Sequence, residues 1–131
     1  MAANTVQLVS EDAELRDSLS KLMVAAGLVV DVLPSIQAWL QAPGPVVHGC
    51  VVLDAGLADV DGRVRLDRLA ANCRSRAVLA ITERGDVPMV VLAIRHGAAE
   101  ILQKPLREQE FLDRVRWILF HRADSIGEEA S

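Results

Sequence analysis

Asp54 stands at the end of a short apolar run, Cys50 to Leu53, and other short runs in this chain also end on groups able to do chemistry. Val6 to Val9 leads into Ser10-Glu11-Asp12, Ala77 to Ile81 into Thr82, and Glu100 to Gln103 into Lys104-Pro105. If these runs are neighbouring strands, carboxylates, a hydroxyl and an ammonium converge at one sheet edge. Clustered carboxylates repel one another unless a cation joins them. A hard divalent ion with oxygen ligands, Mg2+ in the cell, suits Glu11 and Asp54. The same ion would neutralise a phosphoryl group passing to Asp54. Thr82 would then donate a hydrogen bond to that group, and Lys104 would hold its charge.

The runs that end on these residues alternate with helical patterns. Leu15, Leu19, Leu22, Met23 and Ala26 recur at helical spacing, and Gly27 stops that helix. Leu28 to Leu33 is a second strand. Ser35 caps a short helix carrying Ile36, Trp39 and Leu40, which Pro43-Gly44-Pro45 breaks. Val46 to Leu53 contains the third strand, and Gly62 to Ala71 reads as the next helix. Asp86 caps a helix that tolerates Pro88 in its first turn and ends near Gly97. The last helix spans Glu108 to His121, and the small polar residues after it are expected to fray. Five β-α units of this kind imply a parallel sheet covered on both faces, with ligands gathered at the carboxyl ends of the strands. Asp54 would be delivered to that active edge.

Composition narrows the function. The chain has 131 residues, 51% apolar and 24% charged, which suits one packed domain. We assign residues 1–122 to that domain and 123–131 to a polar tail or linker. Net charge is −4, which argues against a nucleic-acid surface in this segment. Cys50 and Cys73 make neither a metal site nor a disulfide framework. The first residues lack a signal-peptide pattern and no apolar stretch is long enough to span a membrane, so a cytoplasmic protein is expected.

The stretch from 81 to 106, "ITERGDVPMVVLAIRHGAAEILQKPL", resembles the receiver domains of two-component response regulators, most closely the FixJ-type receivers that precede a helix-turn-helix domain. "GDVPM", "GA" and "KP" sit at that subfamily's spacing, with Asp54 in register, and the resemblance runs from about Thr5 to Leu119. It implies a flavodoxin-like, CheY-like (βα)5 fold with five parallel strands in the order 2-1-3-4-5. It implies Asp54 as phospho-acceptor, and Glu11, Asp54 and the Gly56 carbonyl as Mg2+ ligands. Thr82 falls on the switch hydroxyl and Lys104 on the phosphate-pairing lysine, with a cis bond before Pro105. The implied partners are a histidine kinase, a second copy of the chain, and a C-terminal DNA-binding domain outside it. The receiver is a signalling domain and not an enzyme in the ordinary sense.

The pattern departs from the family at named positions. Ser10 replaces an acid that holds Mg2+ through water, so metal affinity should fall. Glu83 stands where a small residue flanks the acceptor, and Arg84 beside it is placed to pair with Glu83 or with phosphate. Ile101 replaces an aromatic that swings inward, and its stiff χ1 removes that switch. Ala58 stands where a proline is typical. In the helix after Asp86, Val87, Val91 and Ile94 are expected to face the sheet. Leu92, with Arg95 and Trp117, would then form an outer dimer or output face, while Phe111, Val115 and Ile118 form the buried stripe of the last helix.

Competing readings weigh less on the residues. Asp59, Asp61 and Gly62 read as loop and cap chemistry, and His48, His96 and His121 form no triad spacing. There is neither a GxSxG elbow nor a GxxxxGK[ST] loop. A haloacid dehalogenase-type phosphatase also uses a strand-end Asp, but it needs an acid two residues on, where this chain has Gly56. The stronger alternative is a degenerate receiver that signals by protein contact or ligand sensing alone.

Overall fold

The structure, a computed structural model, describes residues 5–41, 49–55, 78–95 and 97–130. Five strands, β1 (Thr5–Val9), β2 (Val29–Leu33), β3 (Cys50–Asp54), β4 (Val78–Thr82) and β5 (Glu100–Gln103), pair in parallel in the order β2-β1-β3-β4-β5. The described helices are α1 (Ala13–Ala25), α2 (Ile36–Gln41), α3 (Val87–Arg95) and α4 (Glu108–Ala130). The helix expected at 62–71, the break at Pro43-Gly44-Pro45, and Gly56, Ala58, Asp59, Asp61, Cys73, His48 and His96 lie outside the described residues.

Side-chain alternation along the strands builds two cores, one on each face of the sheet. On the first face Val6, Leu8, Cys50, Val52, Leu79 and Ile81 pack under Leu19 and Met23 of α1 and under Phe111, Val115 and Ile118 of α4. On the other, Val9, Val51, Leu53, Val78 and Ala80 pack under Trp39 of α2 and Met89 and Ala93 of α3. Strands buried on both faces account for the unbroken apolar runs of β3 and β4, every residue of which is buried.

Three of the described helices, α1, α2 and α3, start on a side-chain acceptor. Asp12 caps α1, accepting from the backbone N–H of Glu14 at 3.0 Å and of Leu15 at 3.3 Å. Ser35 Oγ accepts from the Ala38 N–H at 3.0 Å, and Asp86 Oδ1 from the Met89 N–H at 3.2 Å. Gly27 follows α1 with φ 88°, the left-handed conformation glycine adopts without a Cβ penalty.

One polar pair lies inside the second face. Trp39 Nε1–H donates to Gln7 Oε1 at 2.6 Å, and Gln7 is 4% exposed. Trp39→Phe keeps the ring but strands the Gln7 amide without its donor. We expect a loss of about 1–3 kcal/mol in urea unfolding, the cost of an unsatisfied buried polar group. A cost well below that range would mean the pair contributes little.

Two expectations are corrected. In α3, Val87, Val91 and Ile94 do not face the sheet; they are 62%, 42% and 61% exposed. Met89 and Ala93 are buried instead, and Leu92, expected on the outer side, packs partly buried against the second core. The helix is apolar almost all round, so periodicity cannot choose its inner face. The second correction concerns the last helix, which does not stop at His121 but continues to Ala130. Arg122, Ala123, Glu128, Glu129 and Ala130 are good helix formers, which favours propagation of an established helix. On α4, Phe111, Val115 and Ile118 are buried as the stripe required, and Trp117 is 47% exposed.

Candidate functional site

The parallel register places the ends of β1, β3, β4 and β5 along one edge. Asp54 pairs with Ile81 and Thr82 with Gln103, so the side chains that follow these strands emerge side by side. Backbone bonds tighten the edge: Ser10 N–H donates to Leu33 O at 3.1 Å, Ala55 N–H to Ile81 O at 2.8 Å, and Lys104 N–H to Thr82 O at 2.9 Å. The Lys104–Pro105 peptide is cis.

Asp54 is 5% exposed, and a carboxylate taken out of water needs partners. Ser10 Oγ donates to its Oδ2 at 2.8 Å. The same Oγ accepts from the Asp12 N–H at 3.0 Å, while the Ser10 carbonyl accepts from Arg16 Nη1 at 2.6 Å. Lys104 Nζ stands 3.4 Å from Asp54 Oδ1 and 2.8 Å from Glu83 Oε2. Thr82 is fully buried, and its Oγ1 has no hydrogen-bond partner among the described residues.

Burial by itself pushes the Lys104 ammonium down from its ordinary 10.5. The hydrogen bond to Glu83 and the charges of Asp54 and Glu83 outweigh burial, so the net shift is upward. An upward shift means that, while its carboxylate partners stay ionised, the stability linked to the Lys104 proton is present below 10.5 and fades as pH rises beyond it. The ammonium is therefore a fixed positive charge at neutral pH.

The structure thus brings Ser10, Asp54, Thr82, Glu83 and Lys104 together at the carboxyl edge of the sheet. Glu11, next to Ser10 in the chain, is exposed. Arg84 is exposed, and Glu83 turns to Lys104, a pairing the sequence did not suggest. Ile101 packs partly buried against the second core. Asp12 spends its carboxylate on the cap of α1, which an N-cap reading of an Asp before an apolar-periodic segment would have found. Arg95 is exposed on α3. Trp117 stacks on His121 with ring centroids 3.8 Å apart.

The donors offered to a cation are all hard oxygens: two carboxylates and a hydroxyl. Among the described residues no three His, Cys, Asp or Glu side chains form a metal cluster. Mg2+ is held by one or two carboxylates and keeps several waters, so this donor set fits it, with one charge fewer than an all-acid pocket.

Comparison with known proteins agrees with this geometry. The family model described as "Response regulator receiver domain" matches residues 6–116. The transcriptional regulatory protein FixJ of Azorhizobium caulinodans is 34% identical over 124 residues, covering 95% of this chain and 59% of that protein. Nodulation protein W of Bradyrhizobium diazoefficiens is 39% identical over 113 residues, covering 84% of this chain and 48% of that protein. Among solved structures, full-length FixJ from B. japonicum superposes with a TM-score of 0.82 at 31% identity, covering 97% of this chain and 63% of that one. The chain spans about half the length of the curated relatives it matches. A parallel sheet of order 2-1-3-4-5, acids and a lysine at its carboxyl edge, and a match across nearly the whole fold make this chain a member of the response regulator receiver domain family, of the FixJ type.

Proposed function

We propose that the chain is the phospho-acceptor switch of a two-component regulator, taking a phosphoryl group on Asp54 from a phosphohistidine of its kinase. The observation that carries this reading is the buried Asp54 with a fixed ammonium beside it and, one strand over, the Thr82 hydroxyl, which has no hydrogen-bond partner among the described residues. A buried hydroxyl that the described residues leave without a partner is suited to meet an incoming phosphoryl oxygen. An Asp54 oxygen attacks phosphorus, the P–N bond to the donor imidazole breaks, and the imidazole keeps the electron pair. Thr82 Oγ1–H then donates to a phosphoryl oxygen, and Lys104 pairs with another. Glu11, Asp54 and the Gly56 carbonyl would hold Mg2+, which when bound offsets the negative charge of the transferring group. Ser10 would meet a metal-bound water as a neutral partner.

The output in this reading is a change of surface. Ile101 has neither a ring nor a hydroxyl to swing, so the movement of Thr82 would pass through packing against α3. The outer row of that helix, Val87, Val91 and Ile94, with Arg95 and with Trp117 of α4, is the face we assign to homodimer formation. The relatives named as transcriptional regulators support a DNA-binding domain attached to this one, in a cytoplasmic regulator. No helix of the described residues is long and apolar enough to cross a membrane.

A second reading, a receiver that acts by contact alone, is favoured by one observation. The chain's own Ser10 already occupies one oxygen of Asp54. Intact mass after incubation with acetyl phosphate, with and without Mg2+, separates the two. We expect a Mg2+-dependent gain of one phosphoryl group, which borohydride reduction and peptide mapping locate at residue 54. No gain, together with silence toward beryllofluoride, would leave the contact-only reading.

A further inference from the structure

We propose that Glu83 is a positioning residue that restrains the switch, by holding Lys104 in an ion pair that must break before the lysine can serve a phosphoryl group on Asp54. The inference rests on the reading of Asp54 as the acceptor. One ammonium is shared by two carboxylates, and it lies closer to the outer one, 2.8 Å from Glu83 against 3.4 Å from Asp54. Only the shorter distance is that of a charge-assisted hydrogen bond. Asp54 meanwhile accepts a shorter hydrogen bond, 2.8 Å, from Ser10 Oγ. The resting pocket is thus closed on itself, with the lysine engaged outward.

Transfer changes the balance of charge. The Asp54 oxygen–phosphorus bond forms, the donor's bond to phosphorus breaks, and the leaving group departs with the electron pair. Asp54 then carries a group of about two negative charges at neutral pH. Lys104 turns toward it, Glu83 loses its partner, and the Glu83 carboxylate is left facing the phosphoryl oxygens. Both consequences weigh against the phosphorylated state. The Glu83 side chain is 46% exposed, so water and salt limit the effect to a few-fold rather than a block.

The test uses the full chain as wild type, Glu83→Gln, Glu83→Ala, Asp54→Asn and Asp31→Asn, the last an exposed acid on edge strand β2. Phosphoryl uptake from acetyl phosphate with Mg2+ is followed by intact mass, and beryllofluoride affinity by tryptophan fluorescence, with a thermal melt of each variant. We expect Glu83→Gln to speed uptake about fivefold and to tighten beryllofluoride by a similar factor. Glu83→Ala should match it, Asp31→Asn should not change, and the advantage over wild type should shrink at high salt. Uptake on Asp54 that Glu83→Gln leaves unaltered overturns the inference and keeps the acceptor reading. Acceleration by Glu83→Ala alone also overturns it, because the obstacle would then be bulk and not charge. No uptake and no beryllofluoride response in any variant overturns both.

Discussion

Asp54→Asn removes phosphoryl uptake to background while leaving the fold intact. Asparagine has nearly the same shape and keeps an oxygen that can accept from Ser10 Oγ, the 2.8 Å bond that anchors the side chain. It loses the charge that faces Lys104 at 3.4 Å, but Lys104 retains Glu83 at 2.8 Å, so no ammonium is stranded. What disappears is the chemistry: a neutral amide oxygen is a poor nucleophile, and it offers a cation no charge. Stability should change by no more than about 1 kcal/mol in either direction, because relieving a buried carboxylate offsets the lost attraction. Intact mass after acyl phosphate treatment and urea unfolding of the same sample check the two halves together. A phosphoryl adduct that persists in Asp54→Asn would place the acceptor elsewhere in the chain.

Phe111→Ala destabilises the domain by about 3–5 kcal/mol, the cost of emptying an aromatic site in a packed core. Phe111 is fully buried near the start of α4 and belongs to the core that joins α1 and α4 to the sheet. It also floors a groove of about 630 Å3 between α1 and the turn after Lys104, lined by Leu15, Leu19, Leu22 and Pro105. Truncation would deepen that groove and admit water against Leu8 and Ile81, so little of the loss is recovered by collapse. For a domain whose whole stability is of the order of 5–15 kcal/mol, the change consumes a large share. Urea unfolding monitored by circular dichroism would show a lower midpoint with an unchanged slope. A loss under about 1 kcal/mol would mean that Phe111 is not a principal anchor of α4.

How much of this was legible beforehand differs from residue to residue. Cys50 to Asp54 announced itself as a doubly buried strand, because an unbroken apolar run of that length has few other uses. Asp86 and Ser35 announced their helices through capping chemistry, and Gly27 its helix end. The orientation of α3 was not legible. Its sequence VPMVVLAIR is apolar on every side, and the choice of Met89 and Ala93 as the inner face follows from how the helix meets the second core. The Gln7–Trp39 bond was hidden too, since the two residues are far apart in sequence and each reads locally as an ordinary member of a strand or helix.

By itself the sequence determined a parallel α/β architecture, and its resemblance to receiver domains implied the strand order that gathers Ser10, Asp54, Thr82 and Lys104. Alternating strand and helix periods leave a parallel sheet as the consistent solution, and such a sheet delivers the residues after its strands to one edge. Tertiary structure alone decided who partners whom at that edge. Glu83 and Arg84 are adjacent in the chain and look like a pair, yet Lys104 takes Glu83, and Ser10, where an acid was expected, donates directly to Asp54. Periodicity along the chain specifies which side of an element is buried. The strength of an ion pair or hydrogen bond is set instead by distances of a few ångströms between elements, and by how much water reaches them.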